Sequence, residues 1–207
     1  MVNQSLNFKW ATGLIVGTSI LVWVVILFLK GIDVPSSWEA IKEVPSVVGW
    51  LSPLFIFFVK WGWRFPIFKG WLVIVPDLNG TWKGSLQTNW RNPDTGEVPD
   101  PIDAYIVIKQ SLLKLSCVQM TRESKSWSSS SAINVDSENQ IKTLNYVYTN
   151  KPRVSVHDRS SAHDGACSLD IVEGGSSKLI GKYWTDRNTK GEMHFDFFKK
   201  GRIEVFE

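Results

Sequence analysis

The chain is 207 residues long, with 23 Lys and Arg against 20 Asp and Glu and a formal net charge of +3. So small a basic excess argues against a protein built to neutralise duplex nucleic acid, and two cysteines are too few for a disulfide scaffold. The length fits one ordinary domain or a membrane anchor with a smaller domain, and the placement of the apolar residues decides between these.

The first predicted element is a spanning helix. Ala11 to Leu29 (ATGLIVGTSILVWVVILFL) is nineteen residues without a charge, bracketed by Lys9 and Lys30, and roughly 20 apolar residues cross a hydrocarbon core. The following FLKGIDVPSSW offers no A-x-A-like cleavage site, so the segment is expected to stay in the mature chain. A second span is predicted over Val44 to Val59, sixteen residues that include Pro45 and Pro53. Its flanks support it: Trp38 and Trp50 precede or enter the run, and Trp61, Trp63 and Trp71 follow it, as aromatic side chains do at a membrane–water interface.

Residues 1–75 are thus expected to form a two-helix membrane anchor with an interfacial linker, and residues 76–207 a separate domain. Lys60, Arg64 and Lys69 after the second span and Lys9 before the first place both ends in the cytoplasm by the positive-inside rule. Cys117 and Cys167 fit that compartment as reduced, buried thiols, although one disulfide could in principle join them.

From Pro76 onward long apolar runs give way to short alternating segments separated by turn residues, the pattern of an all-β barrel or sandwich. Eight strands are predicted, near 81–90, 102–110, 113–122, 126–134, 141–150, 166–173, 178–186 and 191–199. So many short strands joined mostly by tight turns predict an up-and-down antiparallel barrel, whose closure removes exposed edges. Alternation puts Leu113, Leu115 and Cys117 on one face, and Leu144, Tyr146 and Tyr148 on another strand's inner face. Leu179, Gly181, Tyr183 and Thr185 face inward by the same rule, as do Met193, Phe195 and Phe197. An eight-stranded barrel either packs solid or holds one small ligand, and inward Tyr, Thr, Cys and Gly predict a partly polar interior.

Up-and-down winding gathers alternate connections at the end away from the anchor. Five of the six arginines after Pro76, namely Arg91, Arg122, Arg153, Arg159 and Arg187, fall at or beside that rim. Arginine is the side chain best shaped for bidentate phosphate recognition, although acids share the same rim. Trp90 and Trp127 add stacking faces for a base, worth on the order of 1–3 kcal/mol each. The candidate ligand-binding residues are therefore Trp90, Arg122, Trp127, Tyr146, Tyr148, Arg153, Tyr183, Thr185 and Arg187. The loop HDRSSAHDG (His157 to Gly165) repeats His-Asp without a third preorganised ligand, so no metal is expected. No nucleophile, base and orienting partner fall together, so a non-enzyme is expected.

Two apolar spans, the exit KWGWRFPIFKGW, the entry LNGTWKGSL and the closing LIGKYWTDRNTKGEMHFDFFKK together give the chain a family likeness. It resembles the bacterial membrane effectors of cyclic-oligonucleotide-based anti-phage signalling (CBASS), which join two transmembrane helices to a β-barrel. That resemblance implies a barrel that senses a cyclic dinucleotide made by a partner synthase upon infection. It further implies self-association of the effectors and disruption of the inner membrane, so that the cell dies before phage matures. No separate cofactor and no DNA or RNA partner is expected. Gly-x-Trp also resembles the barrel entry of lipocalins, and a membrane-tethered barrel for lipids or fatty acids is the competing expectation. A solid barrel acting only as a membrane scaffold is the third.

Overall fold

Unbroken apolar sequence forms helix at the start of the chain because a helix satisfies its own backbone polar groups. The computed structural model describes residues 5–32, 38–174 and 177–206. It divides into two units, Ser5–Ile74 and a second from Val75 onward.

In the first unit, α1 (Phe8–Lys30) ends on Gly31, whose φ of 64° lets the chain leave through a left-handed residue. A short α2 (Trp38–Lys42) leads into α3 (Val44–Lys60), with Pro45 in the opening turn, where a missing N–H costs nothing, and Pro53 inside the helix. The stretches Phe8–Lys30 and Trp38–Lys60 are both long and apolar enough to cross a membrane, and they contain the two predicted spans. They are tied at one end by the Trp23 indole N–H donating to the Ala40 carbonyl at 2.8 Å and by the Lys30–Glu43 ion pair at 2.7 Å. The aromatic exit folds back in two tight 3₁₀ turns, and the Trp71 ring meets Trp10 edge-on at 5.8 Å.

The second unit is a closed barrel of eight antiparallel strands, each paired with its sequence neighbours and the last with the first. The strands are β1 (Gly80–Thr88), β2 (Ile102–Gln110), β3 (Leu115–Thr121), β4 (Ser124–Asp136), β5 (Ile141–Pro152), β6 (His163–Val172), β7 (Lys178–Thr185) and β8 (Lys190–Lys199). All eight predicted strands are present, with ends displaced by up to a few residues. Gly80, at φ 133°, starts β1 where a Cβ would stand 2.6 Å from the Lys199 carbonyl oxygen, so only glycine fits the entry motif.

One half of the interior is apolar and full. Leu78, Trp82, Ile106, Ile108, Leu144, Leu169, Leu179, Met193 and Phe195 are all at or below 2% exposure, as expected where small-barrel side chains meet at the axis. The entry segment closes that end. The Trp82 indole N–H donates to the Leu78 carbonyl, and the buried Gln110 side chain accepts from the Leu78 N–H and donates to the Pro76 carbonyl.

One inward assignment needs correction. Leu113 lies in the β2–β3 turn and is 60% exposed, because β3 begins only at Leu115. Phe197 keeps its inward register opposite Trp82 but is 38% exposed where a bulge between Thr81 and Trp82 loosens the end of β1 and β8. Beyond β8, residues 200–206 cross the outside of the barrel: the Gly201 carbonyl accepts from the Thr81 hydroxyl, and Phe206 packs on Tyr105 at 5.4 Å.

Candidate functional site

Opposite the filled end, the interior turns polar because the inward positions of five strands change character together. Along β5 the inward series Leu144, Tyr146, Tyr148, Asn150 runs from apolar to polar, all buried. β4 contributes Ser126 opposite Asn150 and Ser128 opposite Tyr148. β6 contributes His163 opposite Asn150 and Gly165 opposite Tyr148, and Gly165 in turn faces Thr185 on β7. Tyr183 stands between Cys167 and Gly191, and Gly191 faces Thr88 on β1. The polar ring therefore runs through β4, β5, β6, β7 and β1, with Gly191 of β8 between the last two.

Two glycines give the tyrosines their places. A Cβ on Gly165 would meet the Tyr148 hydroxyl at 2.5 Å, and one on Gly191 would meet the Tyr183 ring at 2.6 Å. Both rings thus lie flat across a neighbouring strand's backbone. The Tyr146 hydroxyl donates to Gln119 Oε1 at 3.2 Å, and the Tyr183 hydroxyl lies beside Thr88. Deeper still, Cys117 and Cys167 are free, buried thiols, and burial pushes the Cys167 thiol up to about 12.

Burial also raises all three tyrosine hydroxyls above their ordinary range, with Arg187 pulling Tyr148 and Tyr183 the other way. At neutral pH they remain uncharged donors. His163 is held below its ordinary value first by burial and then by Arg187, and its Nδ1 donates to the Ser161 carbonyl at 3.0 Å, with the Asn150 amide nitrogen 3.5 Å away. The ring therefore offers neutral hydroxyl, amide and imidazole groups beside one guanidinium, a combination suited to an anionic, hydrogen-bonding ligand.

The nine candidate residues fall into three places. Tyr146, Tyr148, Tyr183 and Thr185 line the polar half, with Arg187 in the β7–β8 turn acting electrostatically on Tyr148, Tyr183 and His163. Trp127 and Arg153 stand elsewhere, on the outer surface, lining a groove of about 410 Å³ with Met120, Lys125, Lys151 and Phe206. Trp127 faces outward because Ser126 and Ser128, on either side of it, pair with the inward Asn150 and Tyr148. Arg122 lies exposed in the β3–β4 turn, and Trp90, 46% exposed, lies just past β1.

Three rim arginines are occupied locally: Arg91 donates to the Gly96 carbonyl, Arg159 pairs with Glu123, and Arg187 donates to the Ser161 carbonyl at 3.4 Å. The two histidines of the 157–165 loop separate, His157 to the Pro152 carbonyl and His163 to the interior. Among the described residues no group of three or more His, Cys, Asp and Glu is placed to hold a metal.

Sequence reasoning missed Ser126, Asn150, His163 and Gln119. Extending the β5 alternation by one step past Tyr148 reaches Asn150. Ser126 gave no signal, since the run SKSWSSSSA is small and polar on both faces.

Residues 73–196 match the family model described as "Cap15, cyclic dinucleotide receptor domain". That span includes the whole polar half of the barrel and stops short of the end of β8. No curated protein matches the chain.

Proposed function

Because the chain belongs to the Cap15 cyclic dinucleotide receptor family, we propose that a cyclic dinucleotide second messenger binds across the polar end of the barrel. The observation that carries this reading is the placement of Tyr148, Tyr183 and Thr185 on one continuous ring with Arg187 at its edge. The phosphates engage Arg187 and the Tyr148 hydroxyl, and the tyrosine rings present faces to a base. A receptor domain of this kind binds a ligand and needs no catalytic group.

The two apolar helices supply the output. A ligand shifts an equilibrium only by its differential affinity for two states, so the nucleotide favours a barrel competent to self-associate, and association concentrates the helix pairs in the bilayer. Gly13 and Gly17 lie four apart on α1, and a methyl on either would meet nothing within 4 Å among the described residues, which leaves a small-residue surface for another helix. Thr12 and Ser19 on the same helix donate to the carbonyls of Phe8 and Ile15. In this reading the protein is a multi-pass inner-membrane effector with its N-terminus and barrel in the cytoplasm. A cyclic-oligonucleotide synthase supplies the ligand, and membrane disruption aborts infection.

The competing lipid-binding reading requires an apolar chamber, and the apolar half of this barrel is filled by its own side chains. The experiment is dye leakage from liposomes carrying the full chain. Leakage that rises with a cyclic dinucleotide and is unaffected by fatty acid supports the proposal, and leakage indifferent to every cyclic dinucleotide contradicts it.

A further inference from the structure

The outer groove is not part of the polar ring, yet it has the features of a contact surface. Trp127 is 44% exposed, Val154 84% and Val205 63%, so three large apolar side chains stand together in solvent. Lys125, Lys151 and Arg153 line the same groove against one acid, Glu204. Among the described residues none of these three cations is in an ion pair.

The opposite charge stands on the β1–β2 loop. Its residues 89–101 hold Asp94, Glu97 and Asp100, all exposed and, among the described residues, outside any ion pair. Trp90 and Val98 on that loop are 46% and 38% exposed. The loop is also built to hold a shape. The Asn92 N–H donates to the Glu97 carbonyl, the Gly96 N–H to the Asn92 carbonyl, and Arg91 to the Gly96 carbonyl. Little ordering entropy is then lost when it docks.

We infer that the acidic β1–β2 loop of one copy docks in the basic, tryptophan-lined outer groove of a second copy. Three acids meet three cations, and Trp90 and Val98 meet Trp127 and Val154. The position along the barrel suits such a contact. Lys125 and Trp127 lie early in β4, and Lys151 lies at the end of β5, so the groove is at the same end of the barrel as the β1–β2 loop. Because loop and groove are different patches, the contact joins copies head to tail unless a two-fold axis makes it twice. It rests on charge and shape rather than on the ligand's identity.

The test is a charge swap in the full chain in detergent, read as self-association by analytical ultracentrifugation over a range of salt, without and with a panel of cyclic dinucleotides. The variants are Lys125→Glu/Lys151→Glu/Arg153→Glu and Asp94→Lys/Glu97→Lys/Asp100→Lys. Each alone is expected to weaken association by about tenfold or more, high salt to weaken the native chain similarly, and the two sets combined to restore association. A thermal midpoint unchanged in each variant shows that the barrel still folds. Equal association in all variants overturns the inference. So does loss in the groove variant that the loop variant neither reproduces nor rescues, which would assign the groove to a separate anionic partner such as a nucleotide or a lipid headgroup.

Discussion

Tyr183 on β7 lies across the backbone of Gly191 on β8, so close that a methyl group at Gly191 would stand 2.6 Å from its ring and 2.1 Å from the Gln87 carbonyl oxygen. The substitution Gly191→Ala therefore displaces both a ring and a strand. Its expected cost is about 1–3 kcal/mol of stability, with weakened cyclic dinucleotide binding at temperatures where the barrel is still folded. Urea unfolding and a binding isotherm on the same preparation check the two parts separately. An unaltered affinity would remove Tyr183 from the ligand site.

His163 gives the barrel an acid sensitivity. Its folded value is depressed below the ordinary 6.5 by burial first, then by Arg187. The unfolded chain therefore binds the proton more readily, so stability is full above about pH 6.5 and declines as the pH falls below it. Thermal midpoints at pH 7.5 and 5.5 should differ more in the native chain than in His163→Gln, and equal differences would show that His163 is not the group responsible.

The thiols of Cys117 and Cys167 are buried, and burial raises both far above the ordinary thiol range. Only a thiolate reacts readily, so a small alkylating reagent at pH 8 should leave both unmodified for as long as the barrel is folded. Urea should release two reactive thiols together. Rapid labelling of either one in the native chain, read by mass spectrometry, would contradict the packing of the interior.

On α1, Gly13→Leu with Gly17→Leu fills the open small-residue surface. The expected outcome is cyclic dinucleotide binding within twofold of the native chain and liposome leakage reduced by about tenfold, since close helix approach depends on small residues. Undiminished leakage would place helix association on another face.

The legible parts of the molecule were those where one physical pattern acted alone. Nineteen uncharged residues leave little choice but one long apolar helix, and the alternation of Leu144, Tyr146 and Tyr148 against Thr143, Asn145 and Thr149 gave the inner face of β5 directly. The serines of β4 offer no polar–apolar contrast, and the extra residue between Ser128 and Ser130 reverses the parity midway, so the outward turn of Trp127 could not be read. Met120 shows the other limit: it pairs with the outward Tyr105 and Lys125 yet is only 3% exposed. It belongs to the face crossed by the tail after β8, and no periodicity announces that tail. The rim arginines fall at one end of the barrel, but loops chose their neighbours, and among them Arg187 acts electrostatically on Tyr148, Tyr183 and His163.

The most direct measurement is the thermal midpoint of the full chain in detergent against a panel of cyclic dinucleotides, with Arg187→Ala alongside. Ligand at about 100 times its dissociation constant adds roughly 2.7 kcal/mol, which raises the midpoint of a barrel this size by roughly 5 °C or more. One cyclic dinucleotide should produce that shift, and Arg187→Ala should weaken it by about tenfold to a hundredfold in ligand concentration, as expected for losing charge-assisted hydrogen bonds. A cooperative melt that no cyclic dinucleotide moves, or a shift that Arg187→Ala leaves intact, would contradict a ligand site at the polar end of the barrel.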